Sequence, residues 1–183
     1  PKRRWNECPR CRQRMQDEGL RDAFELQKYF INRIERFLHS HGRVLIGWDE
    51  ILESRAEAVG HNARIDYDES GSAMALTRDA VVQSWRGMQG GVAAAQSGHD
   101  VVMSPTTHCY LDYSVEDIST EKAYEFEPVP DALTADEAAH VLGIEGNVWT
   151  ERIADRDRWD YMTFPRLCAL AEVAWSPRSS RSW

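Results

Sequence analysis

Val44-Leu45-Ile46-Gly47-Trp48-Asp49-Glu50 is a short apolar run that ends in an indole and two carboxylates. A run of that length and character suits a buried strand, and Gly42 just before it closes a helical pattern. In that pattern, from Arg21 to His41, Phe30, Ile34, Phe37 and Leu38 recur at helical spacing with Arg33, Glu35 and Arg36 between them. An amphipathic helix that hands over to a buried strand is the repeating step of an α/β protein with a parallel sheet.

The step repeats along the chain. Ile51 to Val59 reads as helical, and Gly60 to Thr77 is a polar stretch without clear period, a long loop. The whole connection 54–79 is therefore read as an insertion. Ala80 to Trp85 is a second β-like run, Met88 to Ser97 an Ala-rich helix closed by Gly98, and Val101-Val102-Met103 a third strand stopped by Ser104-Pro105. Ser114 to Asp131 is irregular, with Pro128 and Pro130 marking a loop. Thr134 opens a helix to Leu142, with Glu137 completing a capping-box pattern. Leu142 to Trp149 is the fourth strand and Trp159 to Trp175 the last helix, before Pro177. Four such units make about half of a (β/α)8 barrel, whose usual length is about 250 residues. A doubly wound open sheet is the competing architecture, but Gly87-Met88-Gln89-Gly90-Gly91 fails the G-x-G-x-x-G spacing and no other strand is followed by it.

Composition narrows the function. The 183 residues carry 22 Lys and Arg against 30 Asp and Glu, a net charge of −8, which argues against a nucleic-acid partner. Hydrophobic residues make up 42%, enough for a real core and too many for a disordered chain. Apolar stretches such as Ala80-Val81-Val82 fall far short of the roughly 20 residues of a membrane span. The chain opens at Pro1 without Met or a leader-like segment, so it is expected to be cut from something longer and its compartment is not legible. Cys8-Pro9-Arg10-Cys11 lacks the second close pair of a zinc site, which leaves a local disulfide or plain thiols. The six His show no metal-ligand spacing, although His108 stands near Tyr110 and could line a mouth there. No metal and no cofactor are expected.

Seven Trp are the unusual feature of the composition. Each β-like run is followed by an aromatic or a carboxylate: Trp48-Asp49-Glu50, then Trp85-Arg86, then Tyr110-Leu111-Asp112-Tyr113, then Trp149-Thr150-Glu151. In a β/α barrel the site is built at these strand ends. Indole faces stack on the C–H face of a pyranose, and carboxylates accept hydrogen bonds from its hydroxyls, so the combination suits a sugar. A cationic ligand in an aromatic cage is the rival chemistry, and large core residues the bland one.

These runs resemble family 20 glycoside hydrolases, the β-N-acetylhexosaminidases. The resemblance rests on Gly47-Trp48-Asp49-Glu50-Ile51-Leu52, Gln83-Ser84-Trp85-Arg86-Gly87, Ser104-Pro105 with Tyr110-Leu111-Asp112, and Gly146-Asn147-Val148-Trp149-Thr150-Glu151. Phe164-Pro165-Arg166 and Ala169-Leu170-Ala171-Glu172-Val173-Ala174-Trp175 resemble the family's last barrel helix. The resemblance implies a C-terminal half of a TIM barrel, parallel strands alternating with helices, over residues 1–183. It implies an acetamido pocket walled by Trp48, Trp85 and Trp149, with Tyr110 on the acetamido oxygen, stabilising an oxazolinium intermediate. Asp112 and Glu151 are then the carboxylates that hold hydroxyls of the terminal sugar. The implied reaction is retaining and substrate-assisted, outside the two-carboxylate scheme. N-acetylhexosamine-containing glycans are the implied partners, and the periplasm, the exterior or the lysosome the compartment by analogy.

The sequence departs from the family in two ways. The adjacent Asp–Glu pair of a His-x-Gly-Gly-Asp-Glu run is missing, and Asp49-Glu50 belongs to a different motif. The connection 54–79 is also longer and more polar than the family's short one. These residues alone are accordingly expected to be inactive and, with open sheet edges, to self-associate. A non-catalytic carbohydrate-binding half-barrel is the alternative.

Overall fold

In the computed structural model, residues 2–57, 64–67 and 76–183 are described, with 54–57 and 64–67 by their backbone alone. They fall into two compact units, one running to Val81 and the other from Val82 to Trp183.

The first unit opens with two short helices, α1 (Lys2–Glu7) and α2 (Pro9–Asp17), followed by the long α3 (Ala23–Ser40). The Asp22 carboxylate caps α3 by accepting from the Phe24 and Glu25 N–H groups at 2.9 and 3.0 Å, and Gly42 turns the chain away at φ 65°, a left-handed conformation that suits glycine. The buried positions of α3 differ from the expected apolar face. Phe30 and Phe37 are 58% and 60% exposed, while Ala23, Leu26 and Glu35 are buried. Glu35 is satisfied there because its carboxylate accepts from the Thr77 N–H at 2.9 Å and the Thr77 hydroxyl at 2.7 Å. A buried charge with two donors is tolerated where an unpartnered one is not.

Strand β1 (Ile46–Trp48) follows, with a single 3-10 turn at Asp49–Leu52. Ile51 folds back over Gly47, where an added Cβ would lie 2.7 Å from the Ile51 Cγ2. The helix expected over 51–59 is not formed. The backbone instead continues as β2 (Glu53–Glu57), which pairs antiparallel with β3 (Arg64–Tyr67), Ala56 opposite Ile65. Cross-strand pairing, which no local pattern announces, overrides the helical reading. The expected insertion thus contains a strand pair, and the remainder of it at 58–63 and 68–75 lies outside the described residues. At the unit's end the Val81 N–H donates to the Leu45 carbonyl at 2.9 Å.

The second unit carries the parallel sheet. β4 (Val81–Ser84) pairs with β5 (Val101–Met103), Val82 opposite Val101 and Ser84 opposite Met103. β5 in turn pairs with β6 (Val141–Ile144), and the register shifts between Val101 and Val102 so that Val102 lies opposite Gly143. Between β4 and β5 runs α4 (Gln89–Gln96), which approaches β5 closely at Gly91: a Cβ there would stand 2.5 Å from the Met103 Sδ. Val82, Val101, Met103, Leu111, Ile118 and Leu170 form the buried core, each contributing roughly 1.5–3 kcal/mol of burial.

Three boundaries move. The stretch 114–131 contains a helix, α5 (Thr120–Tyr124), capped by Ser119, whose hydroxyl accepts from the Lys122 N–H at 3.1 Å. Thr134 and Glu137 do form the expected capping box, but α6 (Ala135–Ala138) is one turn long and β6 already begins at Val141. The last helix is two, α7 (Arg156–Thr163) and α8 (Arg166–Trp175). Pro165, joined to Phe164 by a cis peptide, has no N–H to continue the ladder. Parallel strands alternating with helices remain the architecture, as the sequence implies.

Candidate functional site

The second unit brings five of the six expected residues to the ends of its strands. Beyond β4 the chain is tied across the sheet: the Ser84 carbonyl accepts from the Ser104 N–H and the Trp85 carbonyl from the Thr106 N–H, both at 2.8 Å. The Ser84 hydroxyl donates to the Gly87 carbonyl at 2.7 Å and accepts from the Gly91 N–H at 2.9 Å. Trp85 is thereby held on both sides of its peptide, half-buried, with its ring stacked on Tyr110 at 6.4 Å and 29°. Tyr110 is buried and packs edge-on against Tyr113 at 5.6 Å.

Tyr110 is placed by an isolated parallel bridge to Asn147. The Asn147 N–H donates to the Cys109 carbonyl and the Leu111 N–H to the Asn147 carbonyl, both at 2.7 Å. The Asn147 side chain is itself buried and donates to the Ser104 hydroxyl oxygen at 2.6 Å, which also receives the Gln83 amide at 3.4 Å. Asn147 thus locks the third strand end to the fourth. Asparagine is uncommon in strands, but its partner Ser104 lies 43 residues away, so no local pattern announced this role.

Asp112 follows in the turn closed by the Tyr113 N–H on the Tyr110 carbonyl at 3.1 Å. Its carboxylate accepts from its own N–H and from the Trp149 N–H, which brings the fourth strand end to the third. Its Oδ1 is buried and has no hydrogen-bond partner. Burial raises the Asp112 pKa above the usual aspartate value, and the nearby Glu151 charge adds to the rise, while the two backbone donors and Arg152 oppose it. Trp149 is 45% exposed and Glu151, in the 3-10 turn Thr150–Arg152, is exposed. Trp48, the sixth residue, stands half-buried at the end of β1 in the first unit. Next to it Asp49 is buried, and the Glu50 carbonyl accepts from the Gln27 side chain at 2.9 Å.

Arg166, quoted only as part of a motif, takes a role that was not anticipated. At 1% exposure it is the largest of the fully buried side chains. Its Nε donates to the Met162 carbonyl at 3.0 Å, one terminal nitrogen to Tyr113 and Ile118 at 3.0 Å and to Ser114 at 3.5 Å, and the other to Leu111 at 2.6 Å and to Met162. Burial pulls its pKa down, and the charge of Asp112, first among the nearby anions, pushes it back. His108, which the sequence left as able to line the mouth, stacks on the buried Phe126 at 5.2 Å and its pKa is lowered, chiefly by burial.

Among the described residues no group of three or more His, Cys, Asp or Glu could hold a metal ion. All four Cys are free thiols, and burial pushes that of Cys109 up to about 12. No helix among the described residues is long and apolar enough to cross a membrane. The arrangement offers a stacked aromatic pair, a buried acceptor oxygen beside it and an exposed indole and carboxylate on the adjoining strand end. That set is chemically suited to a polyhydroxylated ring.

Comparison with known proteins agrees. Residues 1–178 match the family model described as glycosyl hydrolase family 20, catalytic domain. A beta-hexosaminidase of Porphyromonas gingivalis is 40% identical over 195 residues, which cover 100% of this chain and 22% of that protein. A beta-hexosaminidase of Vibrio furnissii is 31% identical, over 91% of this chain and 26% of its own length. Among solved structures, the GH20 exo beta-N-acetylglucosaminidase from Vibrio harveyi in complex with N-acetylglucosamine superposes with a TM-score of 0.79 at 29% identity, over 98% of this chain and 27% of that one. The chain spans about a quarter of the length of these relatives.

Proposed function

The chain belongs to glycosyl hydrolase family 20, and from that premise we propose that its protein hydrolyses terminal non-reducing N-acetylhexosamine residues from β-N-acetylhexosaminides. The observation that carries the reading is the Trp85–Tyr110 stack next to the buried, unpartnered Asp112 oxygen. The stack suits the flat acetamide and the sugar face, and Asp112 suits a hydroxyl of the same ring.

The reaction is retaining and substrate-assisted. The acetamido oxygen attacks the anomeric carbon, the glycosidic C–O bond breaks, and the departing oxygen takes a proton from a general acid. Water then opens the oxazolinium, and its proton returns to that acid. Trp85 and Trp149 wall the acetamide and hold it in a near-attack geometry. The Tyr110 hydroxyl donates to the acetamido oxygen, and Asp112 and Glu151 accept from ring hydroxyls. Residues 1–183 contain no His-x-Gly-Gly-Asp-Glu run, so they do not supply the adjacent Asp–Glu pair that the family uses for orientation and proton transfer. Those residues alone bind the sugar without turning it over.

The test is the initial rate of the full-length protein on an aryl β-N-acetylglucosaminide and on the matching aryl β-glucoside. Cleavage of the N-acetylated substrate alone is expected. Equal rates on both would point to an ordinary two-carboxylate glycosidase and overturn the mechanism. Sugar-dependent Trp fluorescence without hydrolysis of either would favour a carbohydrate-binding half-barrel.

A further inference from the structure

Arg166 is a buried cation whose hydrogen bonds all go to main-chain carbonyls. An arginine in this position is costly to desolvate, and an apolar side chain would fill the start of α8 without that cost. What the guanidinium supplies is a rigid planar fork of five donors. Apart from Met162 in the preceding helix, every carbonyl it holds lies in the segment from Leu111 to Ile118.

That segment consists of two successive turns. The first is closed by the Tyr113 N–H on the Tyr110 carbonyl at 3.1 Å, the second by the Asp117 and Ile118 N–H groups on the Ser114 carbonyl at 3.1 and 3.0 Å. Arg166 bonds to both turns, and within the first it takes the carbonyls of Leu111 and Tyr113, the residues on either side of Asp112. The peptides flanking Asp112 are therefore fixed from below while one carboxylate oxygen is buried without a partner. A hydroxyl accepted by that oxygen must sit within a narrow distance range, and a displacement of about 1 Å in such a group can cost about 100-fold in rate.

We propose that Arg166 is a positioning residue for the sugar: by holding the Leu111 and Tyr113 carbonyls it keeps the Asp112 carboxylate set toward a hydroxyl of the terminal N-acetylhexosamine. The inference rests on the reading of the site given above. It assigns Arg166 no contact with the substrate; the residue acts through Asp112.

The experiment is a double-mutant cycle in the full-length protein, with kcat and KM measured separately on an aryl β-N-acetylglucosaminide for wild type, Arg166→Lys, Asp112→Asn and the double variant. Loss of one charged hydrogen bond predicts a KM raised about 10- to 100-fold in Asp112→Asn. Arg166→Lys keeps the charge but cannot reproduce the fork, so its KM is expected to rise about 10-fold with kcat changed by less than about 3-fold. The double variant should be no worse than Asp112→Asn alone, because the two residues serve one contact. Multiplying effects, or a wild-type KM in Arg166→Lys beside a raised KM in Asp112→Asn, overturn the positioning role and leave the site reading intact. A wild-type KM in Asp112→Asn overturns the site reading, and the positioning role falls with it. If Arg166→Lys does not fold, Arg166→Gln takes its place under the same criterion; loss of the fold in both overturns the proposal in favour of a purely structural residue.

Discussion

The two strand ends that carry the carboxylates of the second unit are built in opposite ways. Beyond β5, Tyr110 is buried, Asp112 accepts from two backbone N–H groups, and Arg166 and Asn147 tie the segment to α8 and to the neighbouring strand. Beyond β6, Trp149 is 45% exposed and Glu151 lies in a surface turn. One rim has its geometry fixed by the chain before any ligand arrives; the other offers area and charge to solvent. Substitutions on the two rims are therefore expected to differ in their effect on stability, large for the groups that hold the buried rim and small for those of the exposed one.

Arg166→Met should break the buried rim most severely. It removes the guanidinium donors from the Leu111, Tyr113 and Ile118 carbonyls, while Ser114 keeps the Asp117 and Ile118 N–H groups, and an orphaned buried polar group costs about 1–3 kcal/mol. A loss of upward of about 3 kcal/mol in denaturant unfolding is expected; a wild-type midpoint would mean that water replaces the guanidinium. Asn147→Ala comes next. It deletes one buried amide whose partner, the Ser104 hydroxyl oxygen, retains only the longer contact to Gln83, so a loss of about 1–3 kcal/mol is expected by the same measurement.

Asp112→Asn should act in the other direction on stability. Burial raises the folded-state pKa of Asp112, so the folded protein binds that proton more tightly than the unfolded chain. The ionised group thus lowers stability at pH values above its raised pKa, and the deficit disappears as the pH falls through that pKa and below the ordinary aspartate range. At neutral pH the variant should be at least as stable as wild type while binding substrate more weakly, and its stability advantage should vanish in acid. A variant less stable than wild type at neutral pH would mean that the carboxylate is held by a favourable charge partner.

The contrast between the rims also marks what could be read in the sequence. The positions of Trp85, Tyr110, Asp112, Trp149 and Glu151 after the strands were legible because these residues follow apolar runs. Thr134 and Glu137 were legible because a capping box is local. Arg166, Asn147 and Glu35 were not, because their roles depend on partners far along the chain. Arg166 meets the turn carbonyls 48 to 55 residues away, Asn147 meets Ser104 at a separation of 43, and Glu35 meets Thr77 at 42. Main-chain carbonyls have no residue identity, so no pattern of letters points to them. Helix boundaries failed for a related reason: β2 and β3 stabilise each other across the sheet, and a helical reading of 51–59 contains no information about that partner.

The smallest expected effect on stability belongs to Glu151→Gln, and it tests whether the two rims share one field. Glu151 is exposed and the substitution keeps its shape, so unfolding should change by no more than about 0.5 kcal/mol. Binding should still suffer, with kcat/KM on an aryl β-N-acetylglucosaminide in the full-length protein falling about 10-fold or more, since a hydrogen bond to a charged acceptor is lost. The more discriminating readout is pH. Glu151 is one of the charges that raise the Asp112 pKa, so neutralising it lets Asp112 ionise at lower pH. If Asp112 holds a sugar hydroxyl as proposed, the acid limb of 1/KM should therefore move to lower pH in Glu151→Gln, while the melting transition stays in place. An acid limb that stays put would mean that solvent screens the exposed carboxylate from the buried one, and the two strand ends would then bind the sugar as independent contacts.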